Sequence, residues 1–340
     1  MVAMDLSTWQ DRRTRDPRRL VLGSAQWGMP YGIANHASPP DTRELEAMLV
    51  RARAAGVRTI DTARAYGESE TRVGEITRSL PSQQGWRIIT KLAPDVHAPD
   101  LGIAETLERV AASLAQSRVA LGQETLPIVL LHRFAHRHAC GGKLWRTLLA
   151  ERDAGRIGAL GVSAGSPEEA WAALEDPDIE ALQVATSLLD LRLLRQGFFT
   201  SARERGRTIY VRSLFLQGVA HLGIEALPSF LSELGDPIRR IRATARALGV
   251  STRSLYLAFA RDCLPGTLPV IGCETDAQLE QVLDDWTGAE LDVGKLMALV
   301  ESLPTHADDL VDPARWPARP ADLEAPRNQT ERASIATIPL

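Results

Sequence analysis

Short aliphatic and β-branched runs alternate with longer amphipathic stretches along most of this chain, and that alternation limits the possible folds more than any other feature. Eight runs read as strands: Leu20 to Gly23, Thr59 to Thr62, Arg87 to Leu92, Leu126 to His132, Ala159 to Ser163, Ala181 to Ala185, Thr208 to Arg212 and Leu268 to Ile271. Between them apolar residues recur at three-to-four spacing, as in Leu45, Met48, Leu49 and Ala52, or Leu107, Val110, Ala111 and Leu114, which predicts helices covering a sheet. Asp41 before Glu44, Ser69 before Arg72 and the run Ser166-Pro167-Glu168-Glu169 are expected helix starts. Eight βα units fill residues 20–285 almost without gaps, close to the ~250 residues of a closed barrel. The expected fold is therefore α/β, a single-domain (β/α)8 TIM barrel. An open doubly wound sheet is the alternative. It usually carries GxGxxG after an early strand, and Gly23-Ser24-Ala25-Gln26-Trp27-Gly28 is not that pattern.

The expected division is an N-terminal arm over 1–19, the barrel over 20–303 with one extra helix from Gly294 to Leu303, and a C-terminal tail over 304–340. The longest connection, Leu216 to Asp236, has the length of a lid or binding loop. A hydrophobic content of 44% predicts a sizeable core, and a net charge of -4 gives no reason to expect a nucleic-acid partner. The one basic run, Arg12 to Arg19, includes Asp11 and Asp16 at its margin and within it, and reads as a solvated arm. With neither a membrane span nor a signal peptide legible, a cytoplasmic location is expected. Cys140, Cys263 and Cys273 have no CxxC spacing and are expected as reduced thiols. His136 and His138 near Cys140 lack a fourth ligand at a suitable spacing, so no metal is expected.

Active residues of a barrel belong at the C-terminal ends of its strands. Asp61 closes the second strand, Lys91 the third and His132 the fourth, and Tyr66 lies in the loop Ala65-Tyr66-Gly67-Glu68-Ser69-Glu70. Taken singly, each has an ordinary structural reading: a loop cap, a half-buried aromatic, a solvated strand end, a satisfied core histidine. Four ionisable groups converging on one mouth are what functional sites provide.

The stretch Thr59-Ile60-Asp61-Thr62-Ala63 through Tyr66-Gly67-Glu68-Ser69-Glu70 to Val73-Gly74 resembles the signature of the aldo-keto reductases, and Lys91 and His132 fall where that family has its catalytic lysine and histidine. The resemblance covers about residues 20–285. It implies a carbonyl (aldehyde, ketone or keto-sugar) reduced to an alcohol, with Tyr66 as proton donor, its pKa lowered by Lys91 paired with Asp61, and His132 orienting the substrate oxygen. Gly161-Val162-Ser163 and Gln183 resemble the family's nicotinamide contacts, with Ala164 and Ser187 where asparagines are common. Arg212, in Val211-Arg212-Ser213-Leu214, stands where many relatives carry a stacking tyrosine. Val270-Ile271-Gly272-Cys273, with Gln278 beyond, resembles the adenosine-phosphate loop, whose helix N-terminus is expected to face phosphate. The implied cofactor contacts are thus Ser163, Gln183, Arg212, Ser213, Leu214, Gly218, Gly272, Cys273 and Gln278. NADPH, the family's usual cofactor, is the expected one. NADH stays open, because the basic residue for the 2′-phosphate is missing at Gly272, Gln278 replaces a common arginine, and Gln281-Val282 replaces a frequent Glu-Asn pair.

Two other functions are open on the sequence: a Schiff-base lyase or aldolase with Lys91 as nucleophile, and a non-catalytic nicotinamide-binding sensor or partner subunit. Trp27, just past the first strand, is expected to line the substrate mouth and the other tryptophans to pack. Neither the substrate nor the oligomeric state is legible.

Overall fold

The structure is a computed structural model that describes residues 15–35, 38–80, 85–264, 266–288 and 291–317. The expected residues 1–14 of the arm and 318–340 of the tail lie outside the described residues. Eight strands, β1 (Val21–Gly23), β2 (Thr59–Asp61), β3 (Arg87–Lys91), β4 (Leu126–Leu131), β5 (Ile157–Ser163), β6 (Ala181–Ala185), β7 (Thr208–Arg212) and β8 (Leu268–Gly272), pair in parallel with their sequence neighbours. β1 also pairs with β8, Gly23 opposite Gly272, so the sheet closes into the expected barrel.

Alternation along each strand sorts the side chains between two cores. Val21, Ile89, Ile128, Leu130, Ala181 and Tyr210 fill the barrel interior. Residues one step away, such as Leu22, Ile60, Ile88, Val129 and Leu182, pack outward against the helices. Continuing the inward register to the strand ends brings Gly23, Asp61, Lys91, His132, Ser163, Gln183, Arg212 and Gly272 onto the lumen side at the C-terminal mouth.

The helices are α1 (Ala25–Gly28), α2 (Thr42–Ala55), α3 (Ser69–Ser79), α4 (Ile103–Leu121), α5 (Lys143–Asp153), α6 (Pro167–Glu175), α7 (Arg192–Arg195), α8 (Phe198–Glu204), α9 (Gly235–Ala247), α10 (Thr252–Ala258), α11 (Asp276–Thr287), α12 (Val293–Ser302) and α13 (Asp308–Val311). α2 buries Leu45, Met48, Leu49 and Ala52, the predicted face, and Asp41 caps it by accepting from the Glu44 N–H at 2.8 Å. Ser166 likewise caps α6 through the Glu169 N–H. Ser69 does not cap α3. Its hydroxyl turns inward and donates within a buried cluster with Ser24. α4 also departs from expectation, since Ala111 is exposed and Leu107 half-buried, while Thr106, Val110, Ser113, Leu114 and Ser117 face inward. The reason is proximity: a Cβ at Gly74 of α3 would fall 2.0 Å from the Ala120 carbonyl oxygen of α4. Helices that close admit small side chains.

The connection after β7 is folded into short 3-10 turns, Leu216–His221, Ile224–Ala226 and Ser229–Leu234. Ser213, Leu216 and Gln217 have φ of 62°, 46° and 51°, a left-handed conformation that costs non-glycine residues energy and clusters at functional sites. At the chain ends, a 3-10 turn at Pro17–Arg19 meets α11 through the Trp286 indole N–H, which donates to the Asp16 carbonyl at 3.2 Å. α13 buries Leu310 and Val311. Among the described residues no helix is long and apolar enough to cross a membrane, and all three cysteines are free.

Candidate active site

Lys91 and Asp61 meet at the mouth because β2 and β3 are adjacent and both residues fall on the lumen register. The Lys91 ammonium donates to Asp61 Oδ1 at 2.8 Å, to Oδ2 at 2.7 Å and to the Thr62 carbonyl at 3.0 Å. Gln183, across the barrel on β6, donates its side-chain N–H to Asp61 Oδ1 at 2.7 Å. An ion pair buried this deeply keeps its charges only when such hydrogen bonds satisfy them. Tyr66 lies above it, its ring centre 4.8 Å from Lys91 Nζ, and His132 meets the ring edge-on at 6.0 Å between centroids. The Tyr66 loop is held in place by close backbone contact, since a Cβ on Gly28 would fall 2.0 Å from the Tyr66 carbonyl oxygen.

The electrostatics differ from the sequence expectation at one point. The Tyr66 phenol is pushed up from its ordinary pKa, first by burial and then by the Asp61 carboxylate, and the cation that opposes the rise is Arg212. Lys91, bound by both oxygens of Asp61, lies 4.8 Å from the ring centre, so its charge reaches the phenol together with that of the carboxylate. Burial lowers the pKa of Lys91 and the Asp61 charge counters it. His132 is pushed down to about 3 by burial, with Lys91 and Arg212 adding to the effect, so its ring is neutral near pH 7. Its Nδ1 is buried and has no hydrogen-bond partner among the described residues.

A cavity of about 450 Å³ opens beside these groups. Asp61, Tyr66, Gln183, Arg212, Ser213, Leu214, Gly218, Gly272, Cys273 and Gln278 line it, so most of the sequence-predicted residues converge there. Lys91, His132 and Ser163 lie outside its lining. Lys91 is buried beneath Asp61, and Ser163 is buried opposite Gln183 in the β5–β6 register. Arg212 donates to the Ala164 carbonyl at 3.0 Å. Ser187 is not in the lining; it braces two loops by donating to the Leu214 carbonyl at 2.8 Å. Trp27 is not at the mouth either. It is buried, and its indole N–H donates to the Cys273 carbonyl at 2.8 Å, supporting the wall from behind. The expected phosphate-facing helix end also differs: the Glu274, Asp276 and Gln278 N–H groups donate to the side chains of Gln278, Glu44 and Thr275.

Sequence reasoning missed Tyr31, Gln217, Arg253 and Glu274, all in the cavity wall. Burial raises the pKa of Tyr31, which sits close enough to Tyr66, Arg212 and the Gln217 side chain for them to act on it. No periodicity marks Tyr31 or Gln217, because they stand in separate irregular loops that meet only in the fold; the Ala34 N–H donates to the Gln217 carbonyl there. Among the described residues no group of three His, Cys, Asp or Glu residues is arranged to hold a metal.

The profile of the Aldo/keto reductase family matches residues 19–299. Among solved structures, two putative aldo-keto reductases from Pseudomonas aeruginosa are 23% and 22% identical, each match covering 79% of this chain and 89% of theirs, with TM-scores of 0.56 and 0.57. The holo form of the aldo-keto reductase AKR11C1 from Bacillus halodurans, 15% identical, reaches 0.66 over 86% of this chain and 95% of its own. Among curated proteins no sequence matches significantly.

Proposed function

Since the chain belongs to the aldo/keto reductase family, we propose that the cavity holds a nicotinamide dinucleotide and that Tyr66 is the proton donor in reduction of a small-molecule carbonyl. The observation that carries this reading is the buried Lys91–Asp61–Gln183 network beneath Tyr66, with a neutral His132 at the ring edge. The site fits such a cofactor: the cavity runs from Tyr66 past Arg212 and Ser213 to Gly272 and Gln278, a long, partly apolar wall with a cation along it. When bound, reduced nicotinamide supplies the two-electron reducing equivalent to the carbonyl carbon.

The chain's own residues do the rest. Burial and the Asp61 charge keep the phenol protonated, which is the state a donor must start from. As negative charge develops on the substrate oxygen, the phenolic proton moves from Tyr66 Oη to that oxygen. The resulting phenolate has Arg212 near enough to favour the ionised form, and Lys91 beneath its ring. His132, uncharged, can hold the oxygen by a hydrogen bond without adding a competing acid.

Lys91 as a Schiff-base nucleophile fits less well. Its ammonium makes three hydrogen bonds, to both Asp61 oxygens and the Thr62 carbonyl, and is buried outside the cavity lining. Tyr66→Phe separates the readings. It should leave dinucleotide binding nearly intact and lower carbonyl turnover by about 10²- to 10⁴-fold, as loss of a positioned proton donor does. Wild-type turnover in Tyr66→Phe, or substrate trapped on Lys91 by borohydride and found by mass spectrometry, overturns the reading.

A further inference from the structure

If the reducing end of a dinucleotide lies at Tyr66, as proposed above, its other end lies along the cavity wall where β8 runs into α11. The charges there are unusual for a phosphate site. Arg253 lines the wall, but its guanidinium is held by Asp285 at 2.5 Å and by Gln281 at 2.8 Å. Asp276 takes two bonds from Arg51, each at 2.6 Å, and Glu280 takes a third at 2.8 Å. The backbone donors at Glu274, Asp276 and Gln278 are already bonded within the protein, so the first turn of α11 offers few N–H groups to an anion.

Glu274 is the carboxylate left facing the cavity. It makes no ion pair among the described residues and is half-buried, which raises its pKa, while the nearby Gln26 side chain opposes the rise. Gln26 is pressed over Gly272, where a Cβ would fall 2.2 Å from Gln26 Oε1, and this fixes the wall beside Glu274. A carboxylate is an acceptor-only group, suited to two neighbouring hydroxyls and repelled by a phosphate.

From this arrangement we infer that Glu274 receives the 2′,3′-diol of the adenosine ribose, so that the cavity selects NADH over NADPH. The 2′-phosphate of NADPH would place further negative charge against Glu274, and Arg253, the cation at this end of the wall among the described residues, is already bonded to Asp285 and Gln281. This replaces the NADPH expected from family usage with a reading based on local charge.

Isothermal titration calorimetry of the full chain with NADH and with NADPH tests it, in the wild type and in Glu274→Gln and Glu274→Arg, with circular-dichroism melting curves to confirm folding. NADH should bind the wild type at least about tenfold tighter than NADPH, roughly the size of one unfavourable charge contact. Glu274→Gln should narrow that ratio, and Glu274→Arg should reverse it. Equal or tighter binding of NADPH to the wild type, or a ratio unchanged in folded Glu274→Gln, overturns the role of Glu274 and leaves the nicotinamide reading standing. If neither dinucleotide gives binding heat at millimolar concentration, both fall.

Discussion

At the scale of single residues, the site depends on a buried charge pair whose members are worth more together than apart. Lys91→Met would leave the Asp61 carboxylate buried with Gln183 as its remaining side-chain donor among the described residues. Breaking a buried pair on one side typically costs about 3–5 kcal/mol. Denaturant unfolding should show that loss in Lys91→Met and partial recovery in the double variant Asp61→Asn/Lys91→Met; additive losses would mean the pair is not coupled. His132 makes a second prediction. Its folded pKa of about 3 lies below the ordinary 6.5, so between those values the unfolded chain takes up a proton that the folded chain refuses. The stability it contributes is complete above pH 6.5 and is lost as pH falls toward 3, by roughly 3–5 kcal/mol in all. His136, pushed down to about 4, adds in the same direction. Unfolding free energies measured from pH 7 to pH 4 should fall less steeply in His132→Asn than in the wild type.

At the scale of elements, the contact between α3 and α4 is a tight constraint near the site. Glu70 of α3 accepts from Thr90 of β3 and Ser117 of α4 and pairs with Arg64, so α3 ties the strand to the outer helix. Gly74→Ala would force these helices apart, because its Cβ has no room beside Ala120. Overpacking of this kind costs about 1–3 kcal/mol or more. Gly102→Ser is the matched control: its Cβ meets nothing within 4 Å, and the position is the α4 N-cap. A serine there should hold stability level or raise it by up to about 1 kcal/mol. Thermal melts of the two variants in opposite order would contradict the helix contact.

At the scale of the whole molecule, the segment after α12 closes on the barrel. Asp308 pairs with Arg192, which also holds Asp190 at the end of the β6 loop, and the backbone of Leu303 accepts from Arg195. Ending the chain after Leu303 would expose what Leu310 and Val311 cover and remove Asp308 from Arg192. Burial of two such side chains is worth about 3–5 kcal/mol, so the shortened chain should melt several degrees lower while its far-ultraviolet circular dichroism at 20 °C stays close to the original. An unchanged melting temperature would show that this segment adds nothing to the barrel.

The alternation of apolar periods by itself determined the eight strands to within a residue or two, the barrel, and the faces of helices such as α2, because burying an amphipathic pattern leaves few solutions. Strand-end position also made Asp61, Lys91 and His132 legible, since alternation is local and directs each toward the lumen. Tertiary structure decided the rest. The α4 face depended on how near α3 lies at Gly74, the direction of the Tyr66 shift on its burial beside the Asp61 carboxylate, and the character of the α11 end on which side chains reached its N–H groups. Tyr31, Gln217, Arg253 and Glu274 joined the wall only when distant loops met. Pattern in a sequence records which side of an element is buried, whereas distance between residues far apart in the chain, and the charge each one feels, exists only after the barrel closes.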